Sequence, residues 1–178
     1  MKVYYMLIIN TKDIIKGEIM PKVSTGMQAP SINIPGNGGS AINTANLNNP
    51  YVIYFYPKDD TPGCTKEAIS FTENINFFNK NNITVIGISK DTVEKHDKFI
   101  NKHNLDIFLG SDINGEVCDN YGVWVEKSMY GRKYMGIERS TFLISANGKI
   151  YKIWNKVKVK GHVDDVITNV KLMLNKID

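Results

Sequence analysis

The chain has 178 residues, 42% of them hydrophobic, which suits one globular domain with a core of its own. Its 22 basic and 18 acidic residues leave a mild charge of +4 with the lysines scattered, so no nucleic-acid partner is expected. Two cysteines are too few for a disulfide scaffold and point to a reducing, cytoplasmic setting, and no apolar run approaches the roughly 18 residues of a membrane span.

The apolar stretch Val3-Tyr4-Tyr5-Met6-Leu7-Ile8-Ile9 follows Lys2 in the manner of a signal peptide. No small-residue cleavage site follows it, however, and Lys12, Asp13 and Lys16 interrupt it. Residues 1–20 therefore read as an uncleaved extension, or residues 1–19 as lying ahead of a true start at Met20, and residues 21–178 as the domain. Ile32 to Ile34 and Ala41 to Thr44 flank the turn cluster Pro35-Gly36-Asn37-Gly38-Gly39, which predicts a hairpin. Tyr51 to Tyr56 is a continuous apolar run, the mark of a strand buried on both faces. Residues 64–80 carry Ala68, Ile69, Phe71, Ile75 and Phe78 at close to helical spacing, and Ile83 to Ser89 reads as a second buried strand. Strand, helix and strand in this order form a βαβ unit, whose crossover is right-handed.

A helix is expected from Thr92 to His103 with Asp91 as its N-cap, then a strand at Ile107 to Leu109 and a helix from Asn114 to Tyr121. Arg139 to Ser145 and Lys149 to Trp154 flank Ala146-Asn147-Gly148, where Asn-Gly marks a tight hairpin. The alternation Lys156-Val157-Lys158-Val159-Lys160 reads as a half-exposed edge strand. An amphipathic helix from Val163 to Ile177 closes the chain. The pattern is that of one α/β domain, a mixed sheet between helices.

Chemistry concentrates at Pro57-Lys58-Asp59-Asp60-Thr61-Pro62-Gly63-Cys64-Thr65. A strand stops at Pro57, a Thr-Pro-Gly turn follows, and a helix opens around Cys64. Unpaired N–H groups and the helix dipole at that point favour a thiolate, so the chain reads as a thiol enzyme. Thiolate formation alone is worth only about 2 kcal/mol at neutral pH. If this thiol is to cleave a peroxide O–O bond, donors must be aimed at the leaving oxygen. Thr61, three residues earlier, carries a hydroxyl able to accept from the peroxide and donate to the leaving oxygen; its other reading is a plain helix cap. The 22 basic residues include only two arginines, Arg132 and Arg139. A fixed planar guanidinium in so lysine-biased a chain points to Arg139 as the second donor, against a surface ion pair with Glu138 or another carboxylate. Arg132, between Gly131 and Lys133, reads as an ordinary surface residue in a loop.

The segment Tyr56 to Thr65 resembles the peroxiredoxin signature Pro-x-x-x-Thr-x-x-Cys, in the form of the bacterioferritin comigratory protein or peroxiredoxin Q subfamily. Val117-Cys118-Asp119-Asn120-Tyr121-Gly122-Val123-Trp124 and Gly136 to Ile144 match it in order and spacing, and Val23 to Pro30 resembles its start. The resemblance implies a thioredoxin-like fold and reduction of hydrogen peroxide or organic hydroperoxides, with Cys64 oxidised to a sulfenic acid. Pro57 would shield the thiol, and Thr61 and Arg139 would orient the peroxide. It implies no metal, haem or flavin, a thioredoxin as reductant and a monomer.

The resolving cysteine that many members carry five residues after the first is Ile69 here, and residues 92–103 hold none. Cys118 is left either as a small buried hydrophobe or as a resolving thiol reached by local unwinding. The first option means a one-cysteine mechanism with an external thiol, from a protein or a small molecule such as glutathione. A thioredoxin-type Cys-x-x-Cys is excluded by Glu67, while a redox sensor that uses Cys64 as a switch stays open as an alternative. His96, His103 and His162 show no metal-ligand spacing, and the first two are expected on a solvated helix face.

Overall fold

The computed structural model describes residues 23–175, so residues 1–20, read as an extension, and Ile177, the last residue of the expected closing helix, lie outside the described residues. The 35–39 turn cluster closes an antiparallel hairpin of β1 (Asn33–Pro35) and β2 (Ala41–Asn43). The apolar run forms β3 (Tyr51–Phe55), with every residue buried. Helices α1 (Pro62–Glu73) and α2 (Ile75–Lys80) lead to β4 (Thr84–Ser89), paired parallel to β3. Then follow α3 (Val93–His103), β5 (Phe108–Ser111), α4 (Glu116–Asn120), β6 (Trp124–Met129) and β7 (Arg132–Ile137). The chain continues with β8 (Ser140–Ile144), β9 (Ile150–Trp154) and α5 (His162–Leu174).

Five strands form one sheet in the order β5-β4-β3-β8-β9, parallel on the β4 side of β3 and antiparallel on the β8 side. Side chains alternate across it, so β3 feeds two separate cores. Val52 and Tyr54 pack with α1, α3 and α5, whereas Tyr51, Ile53 and Phe55 pack with Val117, Cys118 and Tyr121 on the other face. Gly87 lies opposite Tyr54, and a Cβ there would stand 2.6 Å from the tyrosine ring, so glycine is what lets that ring lie across β4.

Five readings change. The helix expected through 64–80 breaks at Asn74, whose amide donates to the Ser70 carbonyl and competes with the helical ladder. The N-cap of α3 is Thr92, not Asp91, because the Asp91 carboxylate is taken by Ser89, Lys95 and the Asp59 N–H. The β6–β7 ribbon lies where a loop was expected around Arg132. Tyr130 and Gly131, both at positive φ, make its two-residue turn, and Arg132 opens β7, exposed. Residues 156–160 are an irregular connection to α5 and not an edge strand, although Val157 and Val159 are indeed less exposed than the lysines. His96 is fully buried instead of solvated.

Candidate active site

Thr61 occupies the N-cap of α1, Pro62 its first position, and Cys64 the third helical residue. Proline suits that first position because its missing N–H would have no partner there. The Cys64 sulfur is held in the core, with the residue 1% exposed. The Thr61 hydroxyl does not cap the helix; it donates to the Lys58 carbonyl at 3.1 Å and so keeps its lone pairs available. Pro57 stands exposed just past Tyr56, whose N–H makes the last bond from this strand to Ile88.

Arg139, just ahead of β8, reaches the start of α1 from 75 residues away: its Nη2 donates to Cys64 Sγ at 3.2 Å. Its Nη1 makes an ion pair with Glu67 Oε2, so a guanidinium that is 15% exposed is fixed at both ends. Glu67 is fully buried, one helical turn beyond Cys64. Burial pushes its carboxyl up to about 7, with Arg139 pulling the other way. Sequence reasoning met Glu67 only as the residue that excludes Cys-x-x-Cys; the available signal was its i, i+3 spacing from Cys64. Of the two readings weighed for Arg139, the ion pair is present, but with the buried Glu67 rather than at the surface with its neighbour Glu138. On the same face, the buried Tyr54 hydroxyl and Glu67 Oε1 have no hydrogen-bond partner among the described residues. Burial, then the charges of Glu67, Asp59 and Cys64, hold Tyr54 protonated far above neutrality.

Cys118 belongs to the other core. It is fully buried on α4, where Asp112 accepts its N–H at 2.8 Å. Burial, and then the hydrogen bond and charge of Asp112, push this thiol far up. The sheet therefore separates the two free cysteines. Ile69, at the position where a resolving thiol would stand, packs against the Cys64 core.

His162 borders the site at the start of α5, its Nε2 2.8 Å from the Thr141 hydroxyl. Burial lowers its pKa to about 4, Arg139 adding to the effect and Asp165 opposing it. An unfolded histidine, with its pKa at 6.5, takes up its proton first, so at this position the fold loses stability as pH falls from 6.5 towards 4. The expected loss is up to about 3 kcal/mol, and His162→Asn should abolish it. Urea denaturation of both proteins at several pH values in that window checks this, and parallel curves would refute it.

The sequence profile described as the AhpC/TSA family matches residues 25–153. The putative peroxiredoxin bcp of Coxiella burnetii is 47% identical over 146 residues, 82% of this chain and 97% of that protein. Peroxiredoxin Bcp of Bacillus subtilis is 41% identical over 155 residues, 86% of this chain and 99% of that one. Among solved structures, a cysteine-to-serine mutant of Xylella fastidiosa PrxQ superposes with a TM-score of 0.81 at 34% identity, covering 85% of this chain and 98% of the other. The bacterioferritin comigratory protein of Xanthomonas campestris, in structures concerned with alkyl peroxide reduction, gives 0.76 at 40% identity over 80% and 91%.

Proposed function

Since the chain belongs to the AhpC/TSA family, in its Bcp or peroxiredoxin Q branch, and is a thiol peroxidase with a thioredoxin-like fold, we propose that Cys64 is the thiol that meets the peroxide. The observation that carries this reading is the guanidinium N–H of Arg139 on the sulfur of a buried cysteine in the first turn of α1. Such a donor, already on the sulfur, is in place for the charge that develops on the departing oxygen. The Cys64 thiolate attacks one peroxide oxygen, the O–O bond breaks, and the second oxygen leaves with a proton as water or an alcohol. The sulfur becomes a sulfenic acid. Thr61 accepts from the incoming peroxide through the oxygen lone pairs that its bond to Lys58 leaves free. Pro57, which opens the turn that carries Thr61, has the part of limiting water at the thiol.

The return to thiolate runs through an external thiol: it condenses with the sulfenic acid, water leaves, and a second thiol releases Cys64 from the mixed disulfide. The position of Cys118 on the opposite face of the sheet supports this one-cysteine route, because a Cys64–Cys118 bond needs both thiols to leave the separate cores in which they are buried. A thioredoxin, or a small thiol such as glutathione, fills the external role, and a reducing cytoplasm suits a cysteine that must be returned to thiol after each turnover. Cys64, Thr61, Arg139 and Glu67 all come from one chain, which fits a monomer. No helix among the described residues is long and apolar enough to cross a membrane.

Intact mass after one equivalent of hydrogen peroxide, with dimedone as trap, tests the assignment. One adduct, mapped to Cys64, is expected. Loss of two hydrogens without an adduct would instead establish a Cys64–Cys118 pair, and an unmodified Cys64 would remove it from the reaction.

Glu67 is a positioning residue here, acting through Arg139. Its carboxyl ionises at about 7 in the fold, so the ion pair forms as pH rises through neutrality. In Glu67→Gln, the rate of Cys64 oxidation should therefore climb less steeply between about pH 6 and pH 8 than in the parent protein. Superimposable pH profiles would remove Glu67 from the account.

A further inference from the structure

Residues 57–61 join β3 to α1 and carry both Pro57 and Thr61, so their conformation decides whether Thr61 stands beside Cys64. Lys58 and Asp60 in this segment are exposed, whereas Asp59 is only 8% exposed and makes three anchoring bonds. Its N–H donates to Asp91 Oδ2 at 2.8 Å, its Oδ1 accepts from the Tyr56 hydroxyl at 2.7 Å, and its Oδ2 lies 2.7 Å from His96 Nδ1. His96 has no exposed surface, and its Nε2 stands 3.1 Å from the Gly110 carbonyl. A carbonyl can only accept, so Nε2 carries a proton and donates to β5, while Nδ1 faces the Asp59 carboxylate at hydrogen-bond distance. One imidazole thus ties the segment ahead of Cys64 to α3 and to the sheet.

We propose that His96 is a positioning residue for the peroxidase reaction, holding residues 57–61 through Asp59 in the conformation that presents Thr61 to the peroxide. This rests on Cys64 as the reacting thiol. A cysteine that is 1% exposed needs a closed, ordered surround to react with peroxide, but an external thiol reaches its sulfenic acid only when that surround opens. The clamp therefore assists one half of the cycle and resists the other. General damage to the fold would not separate the halves in this way.

The experiment measures both half-reactions by quenched-flow intact mass: oxidation of the reduced protein by hydrogen peroxide, then reduction of the sulfenic acid by dithiothreitol. The parent protein comes first, and if its Cys64 does not oxidise, the thiol assignment fails independently of His96. In His96→Phe, oxidation should slow by about ten- to a hundredfold while reduction is unchanged or faster. Asp59→Asn, milder in packing, should show the same split and serves if His96→Phe does not fold. Equal slowing of both halves, or an unchanged oxidation rate, overturns the proposal. Failure of both variants to fold does so too, because the pair would then be a requirement of the fold and not of the reaction.

Discussion

Replacing Cys64 by serine is expected to reduce peroxide turnover to background, a loss of more than about a thousandfold, in a protein that still folds. A hydroxyl at that site can take the Arg139 hydrogen bond in place of the sulfur, so the packing of α1 against the sheet is kept. What disappears is the polarisable sulfur nucleophile, and nothing else in the site replaces it. The companion change Cys118→Ala should act in the opposite sense. It removes a buried side chain, costs about 1–2 kcal/mol of stability, and leaves turnover with an external thiol within about twofold. A coupled peroxidase assay with denaturant titration of each variant checks both. Turnover retained in Cys64→Ser would discard the assignment, and turnover lost in Cys118→Ala would bring the second thiol into the cycle.

The second large effect is expected from Arg139→Met, which should slow oxidation of Cys64 by about a hundred- to a thousandfold, as removal of a preorganised transition-state donor does. Methionine fills much of the arginine's volume but leaves the buried Glu67 without the partner that opposes its protonation. Glu67 should then be neutral at pH 7, so adding Glu67→Gln to Arg139→Met should cost little more. That non-additivity is the signature of residues acting as one unit. Stopped-flow oxidation rates for the two single variants and the double variant decide it. If the separate losses multiply, Glu67 and Arg139 act independently.

Much of the sheet was legible because its strands are apolar on both faces, as in Tyr51–Phe55 and Thr84–Ser89, and such runs need no distant partner to be recognised. Cys64 and Thr61 were legible for a local reason, since the turn and the helix start lie within a few residues of each other. What escaped depends on tertiary context. The β6–β7 ribbon has a largely exposed tip, including Tyr130 and Met129, and so lacks the apolar alternation that marks a half-buried strand. The Lys-Val alternation at 156–160 copies a strand pattern, yet a loop lying on a protein surface can bury every second side chain equally well. His96 and Glu67 are polar residues on amphipathic helices, and only partners 37 and 72 positions away explain why they are inside. Arg139 was singled out by its rarity, but the identity of its carboxylate could not be read from its neighbours.

The separation of 75 positions between Cys64 and Arg139 also has a meaning in time. A ribosome adding about 5–20 residues per second delivers the thiol roughly 4–15 s ahead of the guanidinium that bonds to it. β8, which follows Arg139, must then find its place against β3 before the arginine can reach the helix start. A nascent chain therefore carries Cys64 without its arginine partner through its period of greatest exposure, and the pair forms only as the last strands dock.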